Sequence, residues 1–75
     1  MKPKELIWAE DEVTKNGGSV VASGEAQENG SIAFVNFRTR AGHVGQVTID
    51  LKQMSSEKRV RELVRAALLN ADSPK

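Results

Sequence analysis

Cysteine is absent from this sequence, which excludes disulfide bonds and thiolate-bound metal sites. The absence agrees with a reducing cytoplasmic compartment, the location that we expect. No apolar run approaches the length needed to cross a membrane, and the beginning MKPKELIW lacks the long apolar centre of a secretory signal. We therefore expect a soluble, unexported protein with no membrane partner.

Groups that carry catalysis are also scarce. His43 is the only histidine, and it lies in a glycine-flanked segment with no serine or carboxylate beside it in the sequence. The glycines form neither a GxxxxGK nor a GxGxxG pattern. The acids at positions 10–12 lack the spaced oxygen ligands of a calcium loop. The sequence thus predicts no enzyme, no catalytic residue, no metal site and no cofactor.

Length and composition predict a single small domain. The chain has 75 residues, of which 39% are hydrophobic and 28% charged. We assign residues 1–75 to this domain and expect residues 1–5 and 72–75 to be flexible. So small a domain buries a modest fraction of its surface, and without disulfides it gains from further burial. We therefore expect a homo-oligomer, a dimer or higher.

Charge is unevenly distributed along the chain. Residues 1–37 carry three lysines against six acids, a net −3, whereas residues 38–75 carry eight basic side chains against four acids, a net +4. Such a polarised molecule is expected if one surface meets an anion. A solvated mixture of charges explains the same pattern without a ligand.

Three turn signals divide the first fifty residues: NGG at 16–18, ENGS at 28–31 and AGHVG at 41–45. Asn-Gly favours tight hairpins because both residues tolerate positive φ. The segments between the signals predict four antiparallel strands, at Leu6–Thr14, Ser19–Gln27, Ile32–Arg40 and Gly45–Gln53. For the first of these, which contains AEDEV, a frayed edge or an irregular N-terminus is the alternative.

After MSS the apolar period changes from 2 to 3.6. An amphipathic helix is predicted over Ser56–Asn70, with an apolar stripe at Val60, Leu63, Val64, Ala67, Leu68 and Ala71. The predicted fold class is therefore α+β, a four-stranded antiparallel β-meander followed by one C-terminal helix packed on one sheet face (ββββα).

The segment IAFVNFRTR decides which sheet face is left uncovered. Alternation places Ala33, Val35, Phe37 and Thr39 on one face and Ile32, Phe34, Asn36, Arg38 and Arg40 on the other. If the first face packs against the helix, Phe34 is exposed, buried by a partner subunit, or covered by a ligand.

FVNFR, a glycine-containing turn and GQVTIDLK together resemble the central hairpin of the positive cofactor four family of single-stranded-DNA-binding transcription coactivators. Those proteins, like the related whirly proteins, have a curved antiparallel sheet backed by a helix and bind unpaired DNA as dimers or higher oligomers. The resemblance implies Phe34, Arg38, Gln46 and Lys52 as candidate DNA contacts. The chain departs from the family at Gln46, where the family favours a basic residue.

The leading hypothesis is an oligomeric single-stranded nucleic-acid-binding protein, for DNA or RNA, that acts in replication or transcription with little sequence specificity. Its candidate contacts comprise one stacking ring, two amides and three cations: Phe34, Asn36, Gln46, Arg38, Arg40 and Lys52. The alternative is a small regulatory or inhibitory protein-interaction module that uses its open sheet face or an edge strand.

Overall fold

The computed structural model describes residues 3–25, 32–54 and 56–73. Two helices flank three strands, in the order α1 (Lys4–Lys15), β1 (Ser19–Glu25), β2 (Ile32–Arg38), β3 (Val44–Asp50) and α2 (Glu57–Asp72). The α+β class, the antiparallel sheet and the C-terminal helix are confirmed. The prediction of four strands and one helix is wrong, because the first segment is helical.

Helix α1 replaces the strand predicted at Leu6–Thr14. Leu6, Ala9 and Val13 are buried, and their spacing of three and four residues places them on one side of a helix. A strand would have put consecutive acids of this segment on both sheet faces, whereas a helix keeps Asp11 exposed and turns its neighbour Glu12 toward α2. The acids that weaken a strand therefore fit the helix.

The NGG signal ends α1 and does not form a hairpin turn. Gly17 has φ 84°, the left-handed conformation that glycine adopts without strain. Its N–H donates to the carbonyl of Thr14 at 3.0 Å, and the N–H of Gly18 donates to the carbonyl of Val13 at 2.9 Å. These two bonds form a Schellman motif, which uses the same positive φ that a type I′ hairpin turn would need.

The sheet has the strand order β1-β2-β3, and both pairs are antiparallel. An irregularity between Val20 and Ala22 gives β1 one extra residue relative to β2. The second predicted strand is observed over Ser19–Glu25, and its last two predicted residues and the ENGS signal lie outside the described residues.

The third predicted turn is confirmed between β2 and β3. Thr39 donates its N–H to the carbonyl of His43 at 2.7 Å, and Gly42 donates its N–H to the carbonyl of Thr39 at 2.9 Å. Gly42 has φ 95°, which this tight connection requires. Strand β2 ends at Arg38, two residues before the predicted end, because the chain enters this turn.

Both helices pack on the same face of the sheet: α1 contacts β1 and β2, and α2 contacts β3. Helix α2 begins at Glu57, one residue after the predicted start, and ends at Asp72, two residues beyond the predicted end. The buried core consists of Leu6, Ala9, Val13, Ala33, Val35, Phe37, Val47, Ile49, Val60, Val64 and Leu68. The predicted division of β2 into a buried and an uncovered face is confirmed.

Candidate functional site

The sheet face turned away from both helices has no second layer within the described chain, and we call it the open face. Strand alternation and register assign it Ser19, Val21, Ala22, Gly24, Ile32, Phe34, Asn36, Arg38, Val44, Gln46, Thr48 and Asp50. Only two of these side chains are charged, and they have opposite signs. The open face therefore combines apolar, amide and hydroxyl groups with little net charge.

Phe34 lies opposite Gly24 on β1 and Thr48 on β3. A Cβ built on Gly24 would be 3.4 Å from Cε1 of the Phe34 ring, so the ring lies against this glycine backbone. Cross-strand contact of an aromatic ring with a glycine covers the exposed glycine backbone. Phe34 is half-buried as a result, and the rest of its ring faces solvent.

Two amide side chains and one guanidinium follow Phe34 along the open face. Asn36 lies directly opposite Gln46, and Arg38 lies opposite Val44 at the end of the sheet. Asn36 is half-buried, whereas Gln46 and Arg38 are exposed. Four of the six predicted contact residues thus share one uncovered surface.

Arg40 and Lys52 do not lie on the open face. The stem of Arg40 packs on the turn after α1, with its Cδ 3.1 Å from the position of a Cβ built on Gly17. Lys52 lies in the turn after β3, where its N–H donates to Oδ1 of Asp50 at 3.0 Å. A strand of this length puts Lys52 about 20 Å from Arg38, at the opposite end of the sheet.

Three cations come together at the end of the sheet where Arg38 lies. Arg38 pairs with Ser19, which follows the turn that Arg40 contacts, and Lys15 is in the last turn of α1 before that turn. None of the three forms an ion pair with another residue in the described parts of the chain. Lys15 was not predicted, because only the Schellman turn brings it to this end.

Two cations of α2 form ion pairs with carboxylates of α1. Arg61 on α2 contacts Asp11 at 2.8 Å and Glu12 at 3.1 Å, and Arg65 lies 3.5 Å from Glu12. Burial by itself would raise the pKa of Glu12. Hydrogen bonds from Asn16 and Arg61, together with the nearby guanidinium charges, outweigh this effect and lower the pKa below the usual value of a glutamate. Pairing between the acidic α1 and the basic α2 accounts for part of the charge asymmetry without a ligand.

Sequence reasoning missed a carboxylate beside His43. Oδ1 of Asp72 accepts the Thr39 hydroxyl at 2.6 Å and lies 2.7 Å from Nδ1 of His43. The Thr39 hydrogen bond, followed by that of His43, lowers the pKa of Asp72. Since Thr39 also accepts the N–H of His43, the cluster joins the β2–β3 turn to the end of α2. The hydroxyl donates to the carboxylate and not to the imidazole, so it is not arranged as a nucleophile.

In the described parts of the chain, no group of three or more potential ligands among histidine, cysteine and carboxylates is placed to hold a metal ion. Within those same residues, no helix is both long and apolar enough to span a membrane. Comparisons with protein-family models, with curated proteins and with solved structures found no match for this chain.

Proposed function

We propose that this chain is a non-enzymatic protein that binds single-stranded nucleic acid on its open face. The observation that carries the proposal is the position of Phe34, Asn36, Arg38 and Gln46 on one uncovered surface. A ring that stacks, amides that hydrogen-bond and a guanidinium that holds phosphate are the groups that nucleic-acid surfaces combine.

The Phe34 ring favours an unpaired strand over a duplex. Bases expose their flat faces only when they are unstacked, and stacking on an aromatic side chain contributes about 1 to 3 kcal/mol per base. The ring already lies against Gly24, so less side-chain freedom is lost when a base covers it than for a fully exposed ring. Stacking tolerates every base, which supports binding with little sequence specificity and a role wherever DNA is unpaired, as in replication or transcription.

Three cations at the Arg38 end of the sheet support the proposed phosphate contacts. Lys15, Arg38 and Arg40 have no ion-pair partner among the described residues, whereas Arg61 and Arg65 are held by α1 carboxylates. A bound strand would therefore place its phosphates at the end of the sheet near Arg38 and its bases over Phe34. Three phosphate contacts on a single strand correspond to a salt slope of about −2.

Fluorescence anisotropy of labelled single-stranded and duplex DNA of equal length tests the proposal. The protein is titrated into each probe at low and near-physiological salt. Binding of the single strand that exceeds duplex binding and persists at the higher salt supports it. Equal and salt-sensitive binding to both probes, or no binding, contradicts it.

A protein partner is the second candidate. Val21 and Val44 are 64% and 67% exposed, and together with Asn36 and Gln46 they line a groove of about 330 Å³ on the open face. Exposed apolar side chains around a groove are typical of protein interfaces. A photo-crosslinker at position 44, used in cells that express the chain, would capture such a partner. A Val21→Lys variant should then weaken binding of that purified partner at least tenfold.

A further inference from the structure

Strand β3 has one unpaired edge. It pairs with β2 on one side, and no described strand lies on its other side. The hydrogen bond from Thr39 to His43 sets the alternation, so residues 45, 47 and 49 direct their backbone groups to β2. Residues 44, 46, 48 and 50 direct theirs to the free edge. The Asp50 carbonyl already accepts the N–H of Met54, which leaves Val44, Gln46 and Thr48 with both groups available.

This edge lacks the features that normally prevent strand pairing. Residues 44–49 contain no proline and no charged side chain, and the pairing of these residues with β2 is regular. Two adjoining cavities, of about 590 and 480 Å³, lie beside the edge and share Gln46, Ala67 and Asn70 in their linings. Space for another strand is therefore present between the edge and the small side chains of α2.

We propose that β3 pairs with β3 of a second copy in an antiparallel, two-fold arrangement centred on Gln46. This register places Gln46 opposite Gln46 and Val44 opposite Thr48, so the three residues with both groups free satisfy one another in six hydrogen bonds. On the helix side, Gly45 comes opposite Val47, which gives the branched side chain room. No two like charges face each other along the paired segment.

Residues near the axis allow the second helix to approach. Helix α2 contacts β3, and the α2 side chains that line the smaller of the two cavities with Gln46 are those of Leu63, Ala66, Ala67 and Asn70. None of the four is charged. The product is a six-stranded sheet whose two open faces form one continuous surface. The inference does not rest on the proposed function, because each open face is complete within one copy.

Sedimentation equilibrium of the whole chain tests this pairing. The expected result is a concentration-dependent rise in mass toward twice 8.2 kDa. Gln46→Lys should weaken the dimer at least tenfold by placing two cations opposite each other, whereas Ala22→Lys, on the same face at the opposite edge, should not. A single 8.2 kDa species at all concentrations overturns the proposal.

A charge-swap experiment tests the register and separates it from a general effect of added charge. Gln46→Lys and Gln46→Glu each weaken self-association, but their mixture should form a heterodimer at least as stable as the unaltered dimer. Circular dichroism of both variants checks that each still folds. A dimer that Gln46→Lys leaves intact, or a mixture that fails to restore association, contradicts pairing at Gln46.

Discussion

Arg61 of α2 donates from Nη1 to Oε1 of the buried Glu12 of α1 at 3.1 Å, across 49 positions of the sequence. The same guanidinium holds Asp11 and Glu57, and these hydrogen bonds raise the pKa of Arg61. The two helices are therefore joined by ion pairs as well as by their apolar stripes. Since Glu12 is buried, the loss of Arg61 would leave its carboxylate charge without the guanidinium that offsets the cost of burial.

Arg61→Met should lower the melting temperature more than Arg59→Met. Methionine keeps the apolar stem and removes the donors to Glu12, whereas Arg59 is exposed and forms no ion pair with a described residue. Thermal unfolding of both variants checks this order. Equal melting temperatures would mean that the Arg61 network contributes nothing to stability.

The stability contributed by Glu12 should disappear in acid. The pKa of Glu12 is lower in the folded protein than the usual value of a glutamate, so the folded state favours the ionised form. Its contribution is present above the pKa of the unfolded chain and is lost as the pH falls through the folded pKa. Glu12→Gln should therefore reduce the fall in unfolding free energy as the pH drops below about 5. Denaturant titrations across this range measure it, and parallel curves for both proteins would refute the assignment.

Gly45→Ala should destabilise the fold through packing and not through backbone conformation. The new Cβ would lie 2.8 Å from Cζ and 3.0 Å from Cε1 of the buried Phe37 ring, so the ring or the strand would have to shift. Overpacking of this kind costs about 1 to 3 kcal/mol. Gly24→Ala is the matched control, because its Cβ would meet the half-buried Phe34 ring at an ordinary 3.4 Å. Chemical denaturation compares the two, and equal losses would contradict the packing account.

Phe34→Leu should weaken binding of single-stranded DNA about tenfold, since one stacked base is worth about 1 to 3 kcal/mol. Leucine retains an apolar side chain over Gly24 and removes the flat ring. The anisotropy titration measures the loss, with Ile32→Leu, a change at another apolar position of the open face, as control. Unchanged affinity would assign Phe34 a purely structural role.

Arg38→Gln should reduce the magnitude of the salt slope by about 0.7, the value for one phosphate contact on a single strand. Arg59→Gln removes a cation from α2, outside the open face, and should leave the slope unchanged. Affinities are measured over a range of salt concentrations for both variants. A slope that changes equally in both would indicate a general effect of net charge.

The sequence predicts the faces of β2 and the stripe of α2 correctly, because alternation and the 3.6 period are local properties. It fails at α1. Leu6, Ala9 and Val13 give a short apolar stripe, and Asn-Gly at 16–17 suits a hairpin turn and a helix end equally, since both need positive φ. Only the packing of Leu6, Ala9 and Val13 in the core decides between the two.

The part of the candidate site that depends on local strand alternation is also predicted from the sequence. Phe34, Asn36 and Arg38 follow from alternation on one strand, and Gln46 joins them because the turn at 39–43 fixes the register. Arg40 is displaced because β2 ends before it. Contacts such as Thr39 with Asp72 join distant segments, and no local pattern in the sequence encodes them.

Chemical-shift mapping by NMR of the ¹⁵N-labelled protein, titrated with unlabelled single-stranded DNA, tests the open face most directly. The account predicts the largest shift changes at Phe34, Asn36, Arg38 and Gln46, with the first two turns of α1 and the middle of α2 unaffected. Shift changes confined to the helices, or no changes at saturating DNA, would contradict it.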